Sequence, residues 1–142
     1  MLTDALKRCQ ADTFALANKA QYYHWNVEGP DFAQYHEFLG ELYAELFAAV
    51  DTLAEHVRQL DAYAPGAQRM LSELTNIQGD VTVPAALGMF RQLVTDNETV
   101  LEGLTLCYMM AEEQHELGLS NQLQDRIEAH NKHHWMLKAI TK

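Results

Sequence analysis

The chain is poor in several features that would identify other classes of protein. Its 142 residues contain no long apolar run, only three prolines and only two cysteines. Without about 18 consecutive apolar residues, no segment is predicted to cross a membrane. Cys9 and Cys107 lie far apart in apolar patterns and form no Cys-x-x-Cys motif, so they are expected to be buried, reduced thiols. The opening residues, MLTDALKRCQ, are amphipathic and lack the apolar stretch of a signal peptide, which predicts a cytoplasmic protein.

Basic residues are also scarce. Ten Lys and Arg stand against twenty Asp and Glu, giving a formal net charge of −10. Neither end carries a basic tail, since the last residues are LKAITK. Binding to a phosphate backbone through released counterions is therefore not expected, whereas cations would be attracted. With 48% hydrophobic and 21% charged residues, positions 1–142 are predicted to fold as a single domain.

What the chain does have is apolar residues at helical spacing along nearly its whole length. The first helix should bury one stripe and end at Gly29, with Pro30 blocking its continuation. Its stripe consists of Leu2, Leu6, Cys9, Leu16, Ala20, Tyr23 and Val27. Asp31 is expected to cap a second helix, with Gln34 as its capping-box partner. That helix should end near 61–64, and its stripe consists of Leu39, Leu42, Leu46, Val50, Leu53, Val57 and Leu60.

Two more long helices are predicted in the second half. The third should open at Thr82 with Pro84 in its first turn, and Gly118 with Ser120 should mark the start of the fourth. Their stripes are Leu87, Phe90, Val94, Leu101, Leu104 and Tyr108, then Leu123, Ile127, Trp135, Leu137 and Ile140. The connection between the second and third helices is long enough to cross a bundle and contains a short helix within GAQRMLSELTNI. These features predict an all-α, ferritin-like four-helix bundle with a short extra helix in the crossover.

Four side chains of types that bind metals stand in the first two helices. His24 and His36 flank the tight turn between the helices, so they can face each other. Asp51 and Glu55 are one turn apart on the second helix. Imidazole and carboxylate together suit iron, manganese or zinc. A structural histidine pair and a solvated carboxylate face are the alternative interpretation.

One chain cannot bring these four ligands together. His36 and Asp51 are fifteen residues apart on one predicted helix, which separates them by about 22 Å along its axis. Metal–ligand bonds are only about 2 Å long. An antiparallel pairing of two second helices around a two-fold axis would bring the histidines of one subunit to the carboxylates of the other. The prediction is a metal site shared between subunits.

The motifs resemble those of a known family. The run HWNVEGPDFAQYHEF, followed by DTLAEH and by NKHHWML near the end, is similar to the Dps family of miniferritins. That family shows His-Trp-x-Val-x-Gly, a second His twelve residues after the first, and Asp-x-x-x-Glu fifteen residues later. His24, Trp25, His36, Asp51 and Glu55 fall on this pattern. The resemblance covers essentially the whole chain.

The resemblance implies a function. Members form hollow shells, with a dodecamer as the expected assembly, and take up Fe(II) at ferroxidase sites on two-fold interfaces. The iron is oxidised, preferably by hydrogen peroxide rather than O2, and ferric mineral is stored inside, which protects against oxidative damage. By this resemblance His24, His36, Asp51 and Glu55 are the catalytic metal ligands. Trp25 would lie beside the site, as interface packing or as a trap for stray oxidising equivalents.

The chain departs from the family pattern at Gly40, where an Asp usually stands one turn after the second histidine. Glu37 and Glu41 point about 100° and 140° away from the His36 face and do not obviously replace it. Gly40 is expected either to allow close helix packing or to leave a weak second metal position, which Gly40→Asp would then strengthen. The alternative function is a Dps-like cage whose degenerate site holds zinc and has little ferroxidase activity.

The remaining candidates carry less specific expectations. His56 replaces a frequent Arg of the family, and the missing basic tail argues against DNA binding despite the family's name. His130, His133 and His134 stand at helical spacing and are interpreted as helix surface or core edge, with metal binding as the alternative. Asp125 and Glu128 are the candidates for the acidic iron-entry pores that the resemblance implies near the start of the fourth helix.

Overall fold

The computed structural model describes residues 1–142 and contains five helices and no strand. The helices are α1 (Leu2–Asn26), α2 (Phe32–Gln59), α3 (Gln68–Leu74), α4 (Ala86–Glu113) and α5 (Leu117–Ile140). The predicted all-α class, the four long helices and the short crossover helix are confirmed. No helix combines the length and the apolar character needed to cross a bilayer.

The bundle consists of two helical hairpins. Short turns join α1 to α2 and α4 to α5, and these pairs make the most extensive contacts, while α1 packs on α4 across the bundle. The long connection between α2 and α4 carries α3, which packs on α1. The exposed residues of α2 include Ala44, Ala48 and the candidate ligands Asp51 and Glu55.

The predicted core is right for the first two helices and partly wrong for the others. Every residue of the α1 stripe is buried. In α4, Leu87 is 40% exposed, and the buried stripe instead includes Met89, Leu93 and Val100. Trp135 of α5 is 67% exposed. These helices are apolar on more than one side, so spacing alone could not identify the face that packs.

Two predicted ends in the first hairpin are also corrected. α1 ends at Asn26, and Gly29 lies in the turn after it with a φ of +117°, a backbone conformation that glycine adopts without strain. Asp31 is the N-cap of α2, but its side chain makes no capping hydrogen bond, so the predicted capping box with Gln34 is absent. α2 ends at Gln59, slightly before the predicted position.

The second hairpin, formed by α4 and α5, begins at a later residue than predicted, and its turn comes at an earlier residue than predicted. α4 starts at Ala86 rather than at Thr82, because the Asp80 carboxylate accepts hydrogen bonds from the backbone N–H and the hydroxyl of Thr82. This local turn and the extended backbone required before Pro84 delay the helix. The chain reverses at His115, with a φ of 59°, so Gly118 lies inside α5 and Ser120 does not cap it.

Candidate metal centre

The end of α1 and the start of α2 hold His24 and His36 in direct contact. Their rings are stacked, with centroids 3.7 Å apart and planes 16° from parallel. His24 Nδ1 lies 2.6 Å from the His36 carbonyl oxygen, and His36 Nδ1 lies 2.8 Å from the His24 carbonyl oxygen. The two side chains therefore fix each other's positions across the turn, as the sequence predicted for a facing pair.

These hydrogen bonds determine which ring nitrogens remain available. A carbonyl oxygen can only accept, so the proton of each ring lies on Nδ1. In the neutral imidazole, the lone pair is then on Nε2, which is the form that binds a metal ion. Histidine ligands are usually oriented in the same way, because the ring N–H that does not face the metal donates a hydrogen bond to a group such as a backbone carbonyl. Both rings are half-buried, so both remain reachable from outside.

Gly40 lies directly against the His24 ring. A Cβ atom at position 40 would stand 3.0 Å from His24 Cε1 and 3.3 Å from His24 Nδ1. The close approach expected for Gly40 is therefore present, but its partner is the imidazole of α1 rather than a facing helix. The simple expectation that Gly40→Asp only adds a ligand is incomplete, because His24 must move to admit any side chain there.

The carboxylates lie farther along α2. Asp51 and Glu55 are both exposed, one turn apart, and they share with His36 a single uninterrupted helix. The structure brings the two histidines together and the two carboxylates onto one face, but it does not bring the pairs to each other. No group of three or more His, Cys, Asp or Glu side chains within the chain is placed to hold a metal ion.

Aromatic side chains surround the histidine pair. Phe32 stacks on His36 with centroids 5.1 Å apart, and Tyr43 meets His24 edge to face at 5.2 Å. Trp25 is 64% exposed, and its neighbours are residues of α1, α3 and the crossover rather than the histidine rings. The rings of Phe32 and Tyr43 pack against the imidazole pair from α2.

A second polar cluster, inside the bundle, was not predicted. Arg126 of α5 donates to both carboxylate oxygens of Glu45 on α2 and, at 2.8 Å, to His130 Nε2. His130 Nδ1 donates at 2.7 Å to the side-chain oxygen of Asn97 on α4. His133 Nε2 lies 2.8 Å from Glu45 Oε1. The sequence carried one signal of this cluster, an Arg and a His one turn apart at Arg126 and His130.

This polar cluster changes the interpretation of the C-terminal histidines. His130 is fully buried and both of its ring nitrogens are engaged, and His133 is tied to Glu45, so neither is placed as a metal ligand. His134 is half-buried, with Nδ1 at 3.9 Å from a Glu98 carboxylate oxygen. The expectation of a core edge holds for His133, whereas His130 belongs to the core itself.

The environment of the polar cluster shifts two pKa values. Burial, followed by the charge of Arg126, lowers the pKa of His130 well below its ordinary value of 6.5. Burial would raise the pKa of Glu45, but hydrogen bonds from His133 and Arg126 outweigh it and hold that pKa far below its ordinary value of 4.5. At neutral pH the cluster thus contains an ionised Glu45, a charged Arg126 and a neutral His130.

We expect the neutral His130 to make the protein less stable in mild acid. Below pH 6.5 the unfolded chain takes up a proton at this position while the folded chain does not. The free energy of unfolding should therefore fall by up to about 1.4 kcal/mol per pH unit as the pH drops through this range. The contribution of Glu45 is lost only below its ordinary value of 4.5, so the two effects separate. Urea unfolding between about pH 7 and about pH 5.5 measures the slope.

The matched variants for this test are His130→Gln and His115→Asn. His130→Gln should be less stable at neutral pH and should show a shallower pH slope, because its unfolded chain no longer takes up a proton at position 130. His115 is exposed and has a left-handed backbone that Asn tolerates, so His115→Asn should keep the slope of the parent chain. An unchanged slope in His130→Gln would contradict the assignment.

The chain matches known proteins over its full length. Residues 3–142 match the ferritin-like domain family. The "DNA protection during starvation protein" of Brevibacillus brevis is 33% identical over 136 residues, covering 95% of this chain and 91% of that one. An uncharacterised low temperature-induced protein of Nostoc is 33% identical over 134 residues, covering 92% of this chain and 74% of that one.

Solved structures agree with the sequence comparison. The Dps protein of Vibrio cholerae O1, described as a member of a superfamily of ferritin-like diiron-carboxylate proteins, superposes with a TM-score of 0.96 at 26% identity, covering 99% of this chain and 89% of that one. The Dps protein of Bacillus brevis superposes with a TM-score of 0.95 at 28% identity, covering 99% and 95%. The predicted ferritin-like fold is thereby confirmed.

Proposed function

Because the chain belongs to the Dps family of ferritin-like proteins, we propose that it takes up Fe(II), oxidises it at sites shared between subunits and stores the ferric mineral in a hollow shell. Hydrogen peroxide is the proposed oxidant, with O2 as the slower alternative. The proposed assembly is a dodecamer with its oxidation sites at two-fold interfaces, located in the cytoplasm. Consumption of Fe(II) and peroxide together would protect the cell from oxidative damage.

The observation that carries this proposal is the state of the two histidines. His24 and His36 are oriented by the backbone of each other's helix, and their Nε2 atoms have free lone pairs. Both rings are also only half-buried, so they are not sealed inside the bundle. A second chain that supplied Asp51 and Glu55 would complete a set of two neutral imidazoles and two carboxylates, which suits iron.

The exposed face of α2 fits the required two-fold pairing. If His36 of one chain meets the carboxylates of another, the axis must pass the helix midway between these positions, between Tyr43 and Leu46. Ala44 and Ala48, which are exposed and small, lie at and beside this point. Small residues there would let two antiparallel α2 helices approach closely, and the two ligand pairs would then meet at both ends of the contact.

The two pairs of proposed ligands have different roles in the reaction. The Nε2 lone pairs of His24 and His36 favour binding of Fe(II), while the carboxylates of Asp51 and Glu55 stabilise the Fe(III) product. A pair of Fe(II) ions supplies the two electrons that break the O–O bond of one peroxide molecule. Hydrolysis of the Fe(III) product releases protons. The path by which iron enters is a separate feature, and the exposed carboxylates Asp125 and Glu128 of α5 are proposed to line it.

The alternative function is a cage that holds zinc and turns over little iron. One observation favours it. The His24 ring crowds the place where the Cβ atom of a ligand residue at position 40 would stand. With no carboxylate from that position, a site of His24, His36, Asp51 and Glu55 provides four ligands, the number that zinc prefers. DNA binding is not part of either proposal, because the 142 residues carry a formal net charge of −10.

Metal analysis of the purified shell distinguishes the two functions. We expect a shell treated with Fe(II) and peroxide to retain many iron atoms per subunit, far more than its ligand sites could bind. The Asp51→Ala/Glu55→Ala variant should retain little, because its sites cannot hold Fe(III). Retention of one zinc ion per site, with no gain of iron after this treatment, would support the alternative and contradict the proposed function.

A further inference from the structure

A continuous row of aromatic rings runs from the histidine pair along the hairpin of α1 and α2. Tyr43 meets the His24 ring edge to face at 5.2 Å, and its other neighbour in the row is Phe47, with centroids 6.1 Å apart. Phe47 in turn meets Phe14 of α1 at 5.8 Å. All of these separations fall within the range of direct aromatic contact, about 4.5–7 Å. The row therefore connects the candidate ligand His24 with the middle of α2.

Tyr43 is the only ring of this row that carries a hydroxyl. Tyr22 and Tyr23 donate their hydroxyl hydrogens to groups of the crossover segment. The Tyr43 hydroxyl has no hydrogen-bond partner within the chain, and the residue is only half-buried. Phenylalanine would pack in the same row equally well, so packing does not account for the hydroxyl. A phenol, unlike a phenyl ring, can give up one electron together with its hydroxyl proton.

Tyr43 lies about halfway between the two iron sites of the proposed interface. In the two-fold pairing, one site forms at His36 and the other at Asp51 of the same α2 helix, about 22 Å apart along its axis. Tyr43 follows His36 by seven residues, or about 10 Å, and lies within about 20° of the same face. The axis passes α2 between Tyr43 and Leu46, so the Tyr43 side chains of two copies lie on either side of it, between the sites.

The glycine at position 40 creates a need for an electron from outside each site. Without a carboxylate there, the four proposed ligands hold one Fe(II) firmly, and this ion supplies one electron. Reduction of one hydrogen peroxide molecule to water takes two. The nearest other Fe(II) is the one in the second site of the same interface.

We propose that Tyr43 carries an electron between the two iron sites of one two-fold interface, so that two sites with one Fe(II) each reduce one molecule of hydrogen peroxide together. This inference rests on the proposed function and adds to it a residue that is not a metal ligand. The path runs from His24 of one copy through its Tyr43 to Tyr43 and His24 of the second copy.

The chemistry balances with Fe(II) as reductant and peroxide as oxidant. In the first step the O–O bond breaks, one electron comes from Fe(II), and Tyr43 supplies the second electron with its hydroxyl hydrogen. With one further proton from water, the products are two water molecules, Fe(III) and a tyrosyl radical. In the second step, Fe(II) of the other site returns an electron to Tyr43, which takes up a proton. In total, two Fe(II), one peroxide and two protons give two Fe(III) and two water molecules.

The test uses the assembled, metal-free shell made with ordinary or ring-deuterated tyrosine. Fe(II) is added up to one ion per site, peroxide follows, and samples frozen at intervals are measured by electron paramagnetic resonance. We expect an organic radical whose spectrum narrows when tyrosine is deuterated. It should persist at low iron loading, where the second site is empty, and decay quickly at one Fe(II) per site. At that loading one peroxide should be consumed for every two Fe(II), with little hydroxyl radical reaching a spin trap.

Tyr43→Phe and Tyr35→Phe form a matched pair of variants. Tyr43→Phe keeps the ring and should bind Fe(II) as the parent does, but it should lose the tyrosyl radical. It should also consume one peroxide for each Fe(II) and release hydroxyl radical to the trap. Tyr35 is a half-buried tyrosine of the same helix that packs on Phe90 instead of on the histidine pair, so Tyr35→Phe should behave as the parent does.

The outcomes separate this inference from the proposed function. If Tyr43→Phe oxidises iron with the parent's ratio of iron to peroxide and the parent's radical signal, Tyr43 carries no electron and the inference is wrong while the proposed function stands. A radical that ignores tyrosine deuteration, as one on Trp25 would, or whose lifetime does not depend on iron loading, also contradicts it. A parent shell that oxidises no iron at all would overturn the proposed function, and the inference with it.

Discussion

Two variants that each lack iron oxidation should recover it when they are unfolded and reassembled together. The first variant is Asp51→Ala/Glu55→Ala, and the second is His24→Ala/His36→Ala. Alone, each removes half of the ligands from every proposed site, so its rate of Fe(II) oxidation by peroxide should fall to that of free solution. Mixed, they can place an intact histidine pair opposite an intact carboxylate pair.

The expected recovery has a definite size. Random pairing of equal amounts gives two different chains at about half of the two-fold interfaces. Each such interface has two sites, of which one receives all four ligands and the other receives none. Complete sites should therefore number about one quarter of those in the parent shell, and the initial rate should recover in proportion. A site contained in one chain predicts no recovery at all.

Matched controls make this experiment decisive. Glu98→Ala/Glu102→Ala removes an exposed pair of carboxylates with the same spacing from α4, and it should leave the rate unchanged. Reassembled shells are compared by size and by mass, so that only properly mixed assemblies are assayed. Mixed shells of normal size with no oxidation above that of the single variants would contradict the shared site.

The sequence predicts the fold well where one pattern dominates. The α1 and α2 stripes each have a single apolar face, and both were assigned largely as the structure has them. The residues at which helices begin and end were harder to predict, because side chains in the loops between helices can delay or stop a helix. Asp80 holds Thr82 in a turn, and neither residue belongs to the periodic pattern that indicated a helix. Such contacts form in three dimensions and leave little trace in spacing.

The candidate site likewise has one part that the sequence predicts and another that it does not. His24 and His36 are brought together by a tight turn, so their contact could be predicted from local sequence. The polar cluster of Glu45, Arg126, His130 and Asn97 joins three helices, and no spacing within one helix reveals which residues meet. The neighbour of Gly40 was missed for the same reason, since it lies on the preceding helix.

The two substitutions Gly40→Ala and Gly40→Asp should separate the packing role of Gly40 from the absence of a ligand there. Both add a Cβ atom 3.0 Å from His24 Cε1, so both must displace the imidazole and weaken its hydrogen bond to the His36 carbonyl. Removing the group that orients a ligand histidine typically costs about 10-fold to 100-fold in metal affinity. We therefore expect Gly40→Ala to bind Fe(II) about tenfold more weakly than the parent chain.

Gly40→Asp carries the same displacement and adds a carboxylate one turn from His36 on its face of α2. It should bind Fe(II) more tightly than Gly40→Ala and hold a second ion per site, and its rate of oxidation by peroxide should exceed that of Gly40→Ala. The comparison between these two variants isolates the carboxylate, because their backbone requirements are similar and a left-handed conformation is not needed at a mid-helix position. Binding isotherms, stopped-flow rates and shell size are measured together for both. If intact shells of the two variants show equal stoichiometry and equal rates, position 40 is not a ligand position in this protein, and Gly40 serves only to seat the His24 ring.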